Sequence, residues 1–326
     1  MEKIFNKNDY KLSNQAYKVI IDTDPGVDDA VCLIYALSDE NVDVKLLTTV
    51  VGNVDIDKTT RNLLHILDLF NKNIPVAKGF KCALNRISPD ASFIHQKEGL
   101  GGYVPAFESK RKVLDCDAVE AMYKVLIDGD GDIYPVILGP HTNIAALLQK
   151  HPDVIPKIPK IVFMGGSPFG HPDYPDHISF NLSSDPEAFN IVLKSKIPLL
   201  MLPSIIGRRK AHLSEEYVNG LKAVNDTGKL LYTMYSKYWE PKYPDKCVTT
   251  NDICTLFALI YPKLFTMEKV SVTVDTKKDL GKTIVDFNGT GHIDFVTAVN
   301  KEAFIKILNS DLRKFDNIKL PINFNF

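Results

Sequence analysis

Short apolar segments alternate with longer amphipathic segments along most of this chain. Compact apolar runs bounded by turn residues are typical of buried strands, and apolar positions three and four residues apart are typical of helices. Their alternation favours strands joined by helices, and therefore a mainly parallel sheet. The pattern predicts strands over residues 19–21, 42–51, 75–77, 133–138, 161–164 and 198–202, and helices over residues 27–37, 56–70, 117–127, 142–150, 185–194, 213–239 and 252–259.

The pattern changes near the end of the chain. Residues 270–274, 283–287 and 294–299 are typical of antiparallel strands, and a last helix is predicted over residues 302–308. No linker or repeat interrupts the alternation. We therefore expect one α/β domain over residues 1–326, with an open, mainly parallel, Rossmann-like sheet flanked by helices and a small antiparallel β addition near the C-terminus.

Two long segments carry no clear element, residues 80–112 and residues 167–180. Loops of this length inside a compact domain are commonly functional. Both are therefore candidates for segments that close over a ligand.

Composition narrows the class of protein. The 326 residues are 45% hydrophobic, and 39 basic residues nearly balance 40 acidic ones, so that no basic stripe favours nucleic acid. No apolar run is long enough to span a membrane, and the polar first 18 residues lack a signal-peptide core. Five scattered cysteines, without a CxxC pair, predict reduced thiols in a cytoplasmic protein.

Four carboxylates follow the first predicted strand within eight positions: Asp22, Asp24, Asp28 and Asp29. Pro25-Gly26 forces a turn, so the first pair ends the strand and the second pair opens a helix. Such crowded acids repel one another, and either some are protonated or a cation lies among them. Clustered hard oxygens suit Ca²⁺ or Mg²⁺. A structural acceptor role for Asp22 and an ordinary N-cap role for Asp28 are the alternatives.

Polar residues also follow other predicted strands or open later helices. In an open α/β sheet, ligands bind outside the carboxyl ends of the strands, so these residues are expected to converge on the acidic group. Together they predict a pocket for a small polyhydroxylated ligand. They are Asn53, Thr142, Asn143, Met164, Asn181 and Asp252.

These segments resemble the motifs of the nucleoside hydrolase family. Residues 22–30, DTDPGVDDA, resemble its DxDPGxDDA signature. Six further segments resemble family motifs in the same order over about 230 residues, which makes this a resemblance of most of the chain. They are residues 51–53, residues 94–102 (IHGxxGLGG in the family), residues 139–145 (GPLTNIA), residues 164–166 (MGG), residues 180–188 (EFNxxxDPEA) and residues 251–252 (His-Asp).

The resemblance implies Ca²⁺-dependent hydrolysis of the N-glycosidic bond of nucleosides through an oxocarbenium-like transition state, in nucleoside salvage. It implies that Asp24 is the general base and that His95 assists the departure of the nucleobase. It also implies an assembly as a homodimer or homotetramer. The implied metal ligands are Asp24, Asp29, the backbone carbonyl of Thr142, and Asp252, and the implied substrate contacts are Asp28, Asn53, Met164, Asn181, Tyr235, Trp239 and Asn251.

Two positions depart from the family pattern. Asn251 replaces the histidine of the His-Asp pair, and an amide cannot act as an acid. Ser179 replaces the glutamate of EFN, which helps to hold the ribose. Tyr235 and Trp239, four apart in the predicted helix, either stack on the base or pack in a core or interface.

Two further residues are expected to be structural. His141 replaces an apolar position of the family motif and is expected to pack in the core. The basic run that begins at Arg208 is expected to be a solvated surface. Three hypotheses follow: a Ca²⁺-dependent nucleoside N-ribohydrolase, a relative that hydrolyses another ribosyl compound, and a non-catalytic protein that binds ribose or nucleosides.

Overall fold

A computed structural model describes residues 5–89, 91–172, 174, 176–239, 246–288, 291–315 and 318. The strands are β1 (Tyr17–Thr23), β2 (Val42–Thr49), β3 (Val76–Lys78), β4 (Ile133–Ile137), β5 (Ile161–Met164), β6 (Leu199–Leu202), β7 (Leu213–Ser214), β8 (Cys247–Val248), β9 (Phe265–Val274), β10 (Thr283–Asp286) and β11 (Ile293–Val299). The helices are α1 (Val27–Ser38), α2 (Ile56–Leu69), α3 (Ser92–His95), α4 (Ala118–Ile127), α5 (Thr142–Lys150), α6 (Phe180–Ser184), α7 (Pro186–Lys194), α8 (Glu215–Gly220), α9 (Asp226–Tyr235), α10 (Asn251–Ile260) and α11 (Lys301–Leu312).

Nine strands form one sheet in the order β10-β9-β11-β6-β5-β4-β1-β2-β3. Within this sheet every pair from β11 to β3 is parallel, and only the pairs β10–β9 and β9–β11 are antiparallel. Strands β7 and β8 form a separate antiparallel pair. The predicted α/β fold with a mainly parallel sheet and a small antiparallel addition is therefore confirmed. Strand β11 joins the two parts, because it pairs parallel with β6 and antiparallel with β9.

Helices cover both faces of the sheet. Side chains of successive strand residues point to opposite faces, so Val19 and Ile21 of β1 lie in one core cluster and Ile20 lies in the other. The first cluster packs against α1, α2, α9, α10 and α11, and the second packs against α4, α5 and α7. A strand that is buried on both faces explains the continuous apolar run from which β1 was predicted.

The helix predicted over residues 213–239 is wrong in its extent. The structure divides this segment into β7, α8 and α9, since Ser214 and Asn225 each cap a new helix through a side-chain oxygen. Helix α9 ends at Tyr235, and residues 236–239 form a turn in which Tyr238 N donates to Tyr235 O (2.9 Å). The predicted one-face arrangement of Tyr235 and Trp239 therefore does not apply.

Strand β9 begins at Phe265, five residues before the prediction. Its first half is largely exposed and has only two apolar residues, Phe265 and Met267, so its pairing with β11 extends the strand beyond the apolar run at residues 270–274. Residues 80–112 form a loop with one short helix, α3, among the residues described there. Within the described ranges, no helix combines the length and hydropathy that a membrane crossing requires.

The strand order reverses direction between β1 and β4. The chain builds β2 and β3 on one side of β1, then crosses to build β4, β5 and β6 on the other. A topological switch point of this kind opens a crevice beyond the carboxyl ends of the two central strands. The acidic turn after β1 and the turn that links β4 to α5 both lie at this crevice.

Candidate active site

The first turn of α1 holds the acidic segment in place. Gly26 is the N-cap of α1, and its backbone N–H donates to the Asp29 carboxylate (3.1 Å). The same carboxylate accepts from Thr23 Oγ1 (2.5 Å) and from the backbone N–H of Asp24 (3.2 Å). Asp29 is therefore fixed by the turn that it closes, and Asp28 beside it faces the pocket.

Two glycines make room for the Asp24 side chain. A Cβ atom at Gly52 would lie 1.9 Å from Oδ2 of Asp24, and a Cβ atom at Gly139 would lie 2.7 Å from its Oδ1. Asn53 then donates its backbone N–H to Oδ2 (2.8 Å). The contributions of Gly52 and Gly139 were not predicted, because the spacing of residues along a sequence does not reveal an approach between separate strands.

The acidic side chains form a continuous group. The Asp29 carboxyl lies close enough to the carboxyls of Asp24 and Asp252 to raise the pKa of both. Oxygen atoms of Asp28, Asp29 and Asp252 can be chosen that all lie within 4.8 Å of one another, and all three residues are buried. Oδ1 of Asp24 and Oδ1 of Asp252 are buried and have no hydrogen-bond partner among the described residues.

Burial dominates the electrostatics of this group. It raises the pKa of Asp28 to about 7, with repulsion from Asp29 as the next cause. It also raises the pKa of Asp24 and of Asp252 well above the usual range, with repulsion among the acids adding to the effect. Because buried carboxylates repel one another when all are ionised, the cluster is stable only if some are protonated or a cation lies among them.

Asp22 supports the site from behind. Its Oδ1 accepts from Thr48 Oγ1 (2.7 Å) and from Nδ2 of Asn143 (2.8 Å), which ties β1 to β2 and to α5. Burial nevertheless raises the pKa of Asp22 to about 7. This arrangement agrees with the alternative of a structural acceptor.

A pocket of about 350 Å³ opens beside the acidic group. Its size falls at the lower end of the range for small-molecule sites. Most of the residues that the sequence singled out line it. These are Asp28, Asp29, Asn53, His95, Met164, Asn181, Trp239, Asn251 and Asp252.

Three of the predicted residues lie outside the pocket lining. Asp24 lies behind it, against Gly52 and Gly139. Thr142 is fully buried in the first turn of α5, and its hydroxyl donates to Asp185 (2.8 Å). Tyr235 is 1% exposed and packs in the core rather than on a ligand surface.

Tyr238 lines the pocket in the place that the sequence assigned to Tyr235. Its hydroxyl hydrogen-bonds to Thr249 Oγ1 (3.0 Å) and lies near the Asp28 carboxylate. Burial, and next the charge of Asp28, raises the pKa of Tyr238 well above its ordinary value. The sequence did not identify Tyr238, because the predicted helix was continued to residue 239. Only the turn after Tyr235 brings Tyr238 to the pocket.

His95 is a buried, neutral imidazole. Burial lowers its pKa to about 3. The backbone N–H of Val27 donates to Nδ1 (3.1 Å), so the ring proton lies on Nε2. The ring lies beside Tyr238, with centroids 5.1 Å apart, and Nδ1 is 4.0 Å from Oδ1 of Asp28.

The two departures from the family pattern both lie in the pocket with unpartnered oxygens. Oδ1 of Asn251 and Oγ of Ser179 are buried and have no hydrogen-bond partner among the described residues. His141, by contrast, packs in the core between Phe163 and Phe189 as expected, with ring centroids 4.9 and 5.0 Å away.

The expected surface position of Arg208 is wrong. Arg208 lines the pocket, whereas Arg209 and Lys210 are exposed. It belongs to a π-helical turn, Ile206–Lys210, that follows β6. Runs of charge normally predict a solvated face, and no periodicity in the sequence distinguishes the first residue of this run from the other two.

The fold and the pocket define an α/β protein with an acidic, small-molecule site at the switch point of its sheet. The family model described as inosine-uridine preferring nucleoside hydrolase matches residues 19–306. The non-specific ribonucleoside hydrolase RihC from Salmonella paratyphi C is 36% identical over 273 residues, which cover 83% of this chain and 88% of that protein.

Solved structures agree with this assignment. A purine-preferring ribonucleoside hydrolase from Gardnerella vaginalis is 27% identical with a TM-score of 0.84, covering 93% of this chain and 100% of that chain. The plant nucleoside hydrolase PpNRh1 is 28% identical with a TM-score of 0.81, covering 93% of this chain and 99% of that chain. The chain belongs to the nucleoside hydrolase family, and so to the hydrolases that act on N-glycosyl compounds.

Proposed function

We propose that this chain is a Ca²⁺-dependent N-ribohydrolase that releases the free base from ribosyl compounds, with nucleosides as the substrate class and a role in nucleoside salvage. The observation that carries the proposal is the buried acidic group beside a pocket of about 350 Å³. A buried cluster of carboxylates is unfavourable without a cation, and a pocket of this size suits a small sugar derivative.

The residues present fit a hard divalent cation. The candidate ligand atoms are carboxylate and carbonyl oxygens, and two of the buried carboxylate oxygens lack a partner among the described residues. Asp24, Asp29 and Asp252 would hold the ion, with Asp28 close by and the Thr142 carbonyl as a further ligand. Such donor sets favour Ca²⁺ or Mg²⁺ over softer metals. When bound, the ion would coordinate the sugar diol and lower the pKa of a neighbouring water.

Asp24 is the proposed proton acceptor. Its Oδ2 is occupied by the N–H of Asn53 (2.8 Å), which leaves Oδ1 to receive a proton from the attacking water. General-base catalysis by a positioned carboxylate accelerates a reaction by about 10²–10⁴-fold. The remaining acids stabilise the positive charge that develops on the sugar as the base departs.

His95 is the proposed hydrogen-bond donor to the departing base. Its lowered pKa excludes an imidazolium at neutral pH, so it acts through the neutral Nε2–H and not as a strong acid. Asn251 can contribute an amide donor at the position of the missing histidine. Tyr238 and Trp239 supply aromatic surface around the same part of the pocket.

The proposal extends to a cytoplasmic protein that forms a homodimer or homotetramer, without nucleic acid or a membrane as partner. Two alternatives compete with it: a family relative acting on another ribosyl compound, and a non-catalytic protein that binds ribose or nucleosides. The unpartnered oxygens of Ser179 and Asn251 favour the first of these alternatives over the second, because they offer hydrogen bonds to a ligand that differs from the family's usual one.

The test is release of base and reducing sugar from inosine, uridine, adenosine and cytidine, with Ca²⁺ and with chelator. We expect turnover that chelation removes and added Ca²⁺ restores. Asp24→Asn should lower kcat by about 10²-fold or more, since it removes the proton acceptor. Metal content of each protein is measured in parallel.

The matched control is Asp117→Asn, the same substitution at the exposed N-cap of α4. Asp117 accepts from Glu120 N (2.9 Å), and asparagine caps helices equally well, so activity should not change. Full activity in Asp24→Asn would remove Asp24 from the role of base. Nucleoside binding without any turnover would instead establish the non-catalytic alternative.

A further inference from the structure

Asn62 is a buried amide in the middle of α2 that the proposed mechanism does not use. It is fully buried and lies outside the pocket lining. Asparagine is a poor residue for a helix interior, because its side chain competes with the backbone for hydrogen bonds. The reason for an amide at this position must therefore lie in the groups that it binds outside α2.

The side chain of Asn62 joins two segments of the active site. Its Nδ2 donates to Pro25 O (3.1 Å), in the acidic turn, and to Glu98 O (2.9 Å), three residues after His95. Its Oδ1 accepts from Arg61 Nη2 (3.0 Å). Because the two carbonyls can only accept and the guanidinium can only donate, these partners fix the orientation of the amide.

The turn that begins at His95 connects this amide to the imidazole. Gly101 N donates to His95 O (3.0 Å), which closes the turn around Glu98. Gly99 has a φ of +88°, and a Cβ atom there would lie 2.8 Å from Nδ2 of Asn62. Glycine thus lets the turn approach the amide closely, and a movement of Glu98 would also move His95.

The acidic turn depends less on Asn62 than the histidine does. The Asp29 carboxylate alone accepts four hydrogen bonds from the turn and from the side chain of Asn53. Among the described residues, the imidazole of His95 has one hydrogen bond to this part of the chain, from Val27 N to Nδ1 (3.1 Å). Loss of the Asn62 amide should therefore displace the imidazole more than the carboxylates.

We propose that Asn62 is a positioning residue that holds the turn after His95 against the acidic turn, and so aligns Nε2–H of His95 with the departing base. The inference rests on the proposed function, because Asn62 acts through the role given there to His95. It predicts a loss of assistance to the leaving group with an intact metal site. Misplacing a reacting group by about 1 Å can cost about 10²-fold in rate.

The kinetic test compares two leaving groups on Ca²⁺-loaded protein. Uridine needs help for its base to leave, whereas the phenolate of 4-nitrophenyl β-D-riboside leaves without a proton. Asn62→Leu, which removes the amide donor, should lower kcat on uridine by about tenfold or more and change kcat on the aryl riboside by less than about twofold. Both KM values and the Ca²⁺ affinity from calorimetry should not change. Equal losses on the two substrates would overturn the proposal in favour of a general structural role.

A double-mutant cycle tests whether Asn62 acts through His95. In a His95→Ala background, Asn62→Leu should cause no further loss of kcat on uridine, because two residues that act as one unit do not contribute additively. A further loss as large as the loss in the unaltered background would contradict the proposal.

Asn225→Asp is the matched control for Asn62→Asp. Asn225 Nδ2 donates to Leu312 O (2.8 Å), and its Oδ1 caps α9 by accepting from Gly228 N (2.8 Å). Aspartate keeps this cap and loses the amide donor. Asn62→Asp, which also serves if Asn62→Leu does not fold, should reproduce the selective loss on uridine, and Asn225→Asp should change neither substrate. The same selective loss in both variants would contradict a specific role for Asn62.

A readout without turnover separates this proposal from the proposed function. In protein labelled with ¹⁵N-histidine, the Nδ1 resonance of His95 is assigned by its absence from His95→Ala. It should shift in Asn62→Leu and stay unchanged in Asn225→Asp. Absence of turnover on every substrate together with this shift would refute hydrolysis and retain the positioning role. An unshifted resonance in an active Asn62→Leu variant would refute the positioning role and leave the proposed function intact.

Discussion

Replacing His141 with leucine should stabilise the protein. His141 is fully buried between Phe163 and Phe189, and neither ring nitrogen has a hydrogen-bond partner among the described residues. Burial lowers its pKa to about 3, so the ring is neutral at physiological pH. The side chain therefore brings one donor and one acceptor into the core and satisfies neither.

The magnitude follows from three contributions. Each buried unsatisfied polar group costs about 1–3 kcal/mol. The two edge-on contacts with Phe163 and Phe189 offset part of this cost, since an aromatic pair contributes about 0.5–1.5 kcal/mol beyond its buried area. Leucine has a comparable volume and no polar atom, so we expect a net gain of roughly 1–3 kcal/mol for His141→Leu.

The assay is equilibrium urea unfolding of Ca²⁺-loaded protein, followed by circular dichroism. The melting temperature should also rise, by about 1.5 °C for each kcal/mol, given about 2.1 cal/mol/K of unfolding entropy per residue over 326 residues. His141→Gln is the control, because it keeps a buried polar group and should not stabilise. If His141→Leu is less stable than the original protein at an unchanged m value, the imidazole has a favourable partner and the reasoning is wrong.

Two further predictions concern the contact of His65 with the loop over residues 80–112 and the space around Asp24, the proposed proton acceptor. His65 is buried, and its Nε2 hydrogen-bonds to the Tyr103 hydroxyl (2.8 Å). Burial lowers the pKa of His65 to about 4, below the value of about 6.5 in the unfolded chain. The folded state therefore favours the neutral ring, and the free energy of unfolding decreases as the pH falls between these two values. In urea unfolding, His65→Gln should therefore lose about 2 kcal/mol less than the original protein between about pH 7.5 and about pH 5, and an equal loss in both would contradict this. Gly52→Ala would place a Cβ atom 1.9 Å from Oδ2 of Asp24, so kcat should fall by about 10²-fold, measured by base release, and an unchanged kcat would show that the Asp24 position is not critical.

Local patterns in the sequence were sufficient for a strand that is buried on both faces and for a helix that has its own start signal. Strand β1 is a continuous apolar run because both of its faces are covered, and α7 begins at Pro186 after the capping carboxylate of Asp185, as its sequence predicts. The same patterns failed where pairing alone defines the structure. The first half of β9, where only Phe265 and Met267 are apolar, and the turn after Tyr235 are too short to establish a period of their own.

The residues of the site also divide into those that a local sequence pattern identifies and those that depend on contacts between distant segments. The acids after β1 could be identified from the sequence, because four carboxylates without a basic neighbour are unusual in eight positions. The space that they occupy could not, since Gly52 and Gly139 approach Asp24 from the turns that follow β2 and β4. Tyr238 was concealed for a related reason, because its place depends on where α9 ends.

Arg208 illustrates the limit of argument from composition. Within a run of three basic residues, two are exposed and the first lines the pocket. A π-helical turn after β6 makes this difference, and such turns have no reliable sequence pattern. Asp24, Asp28 and Asp29 of the acidic group thus come from one continuous segment and Asp252 joins them from α10, whereas Ser179 and Arg208 come from separate elements. Substitutions at Ser179 and Asn251 can therefore change the lining of the pocket without altering the acidic segment that follows β1.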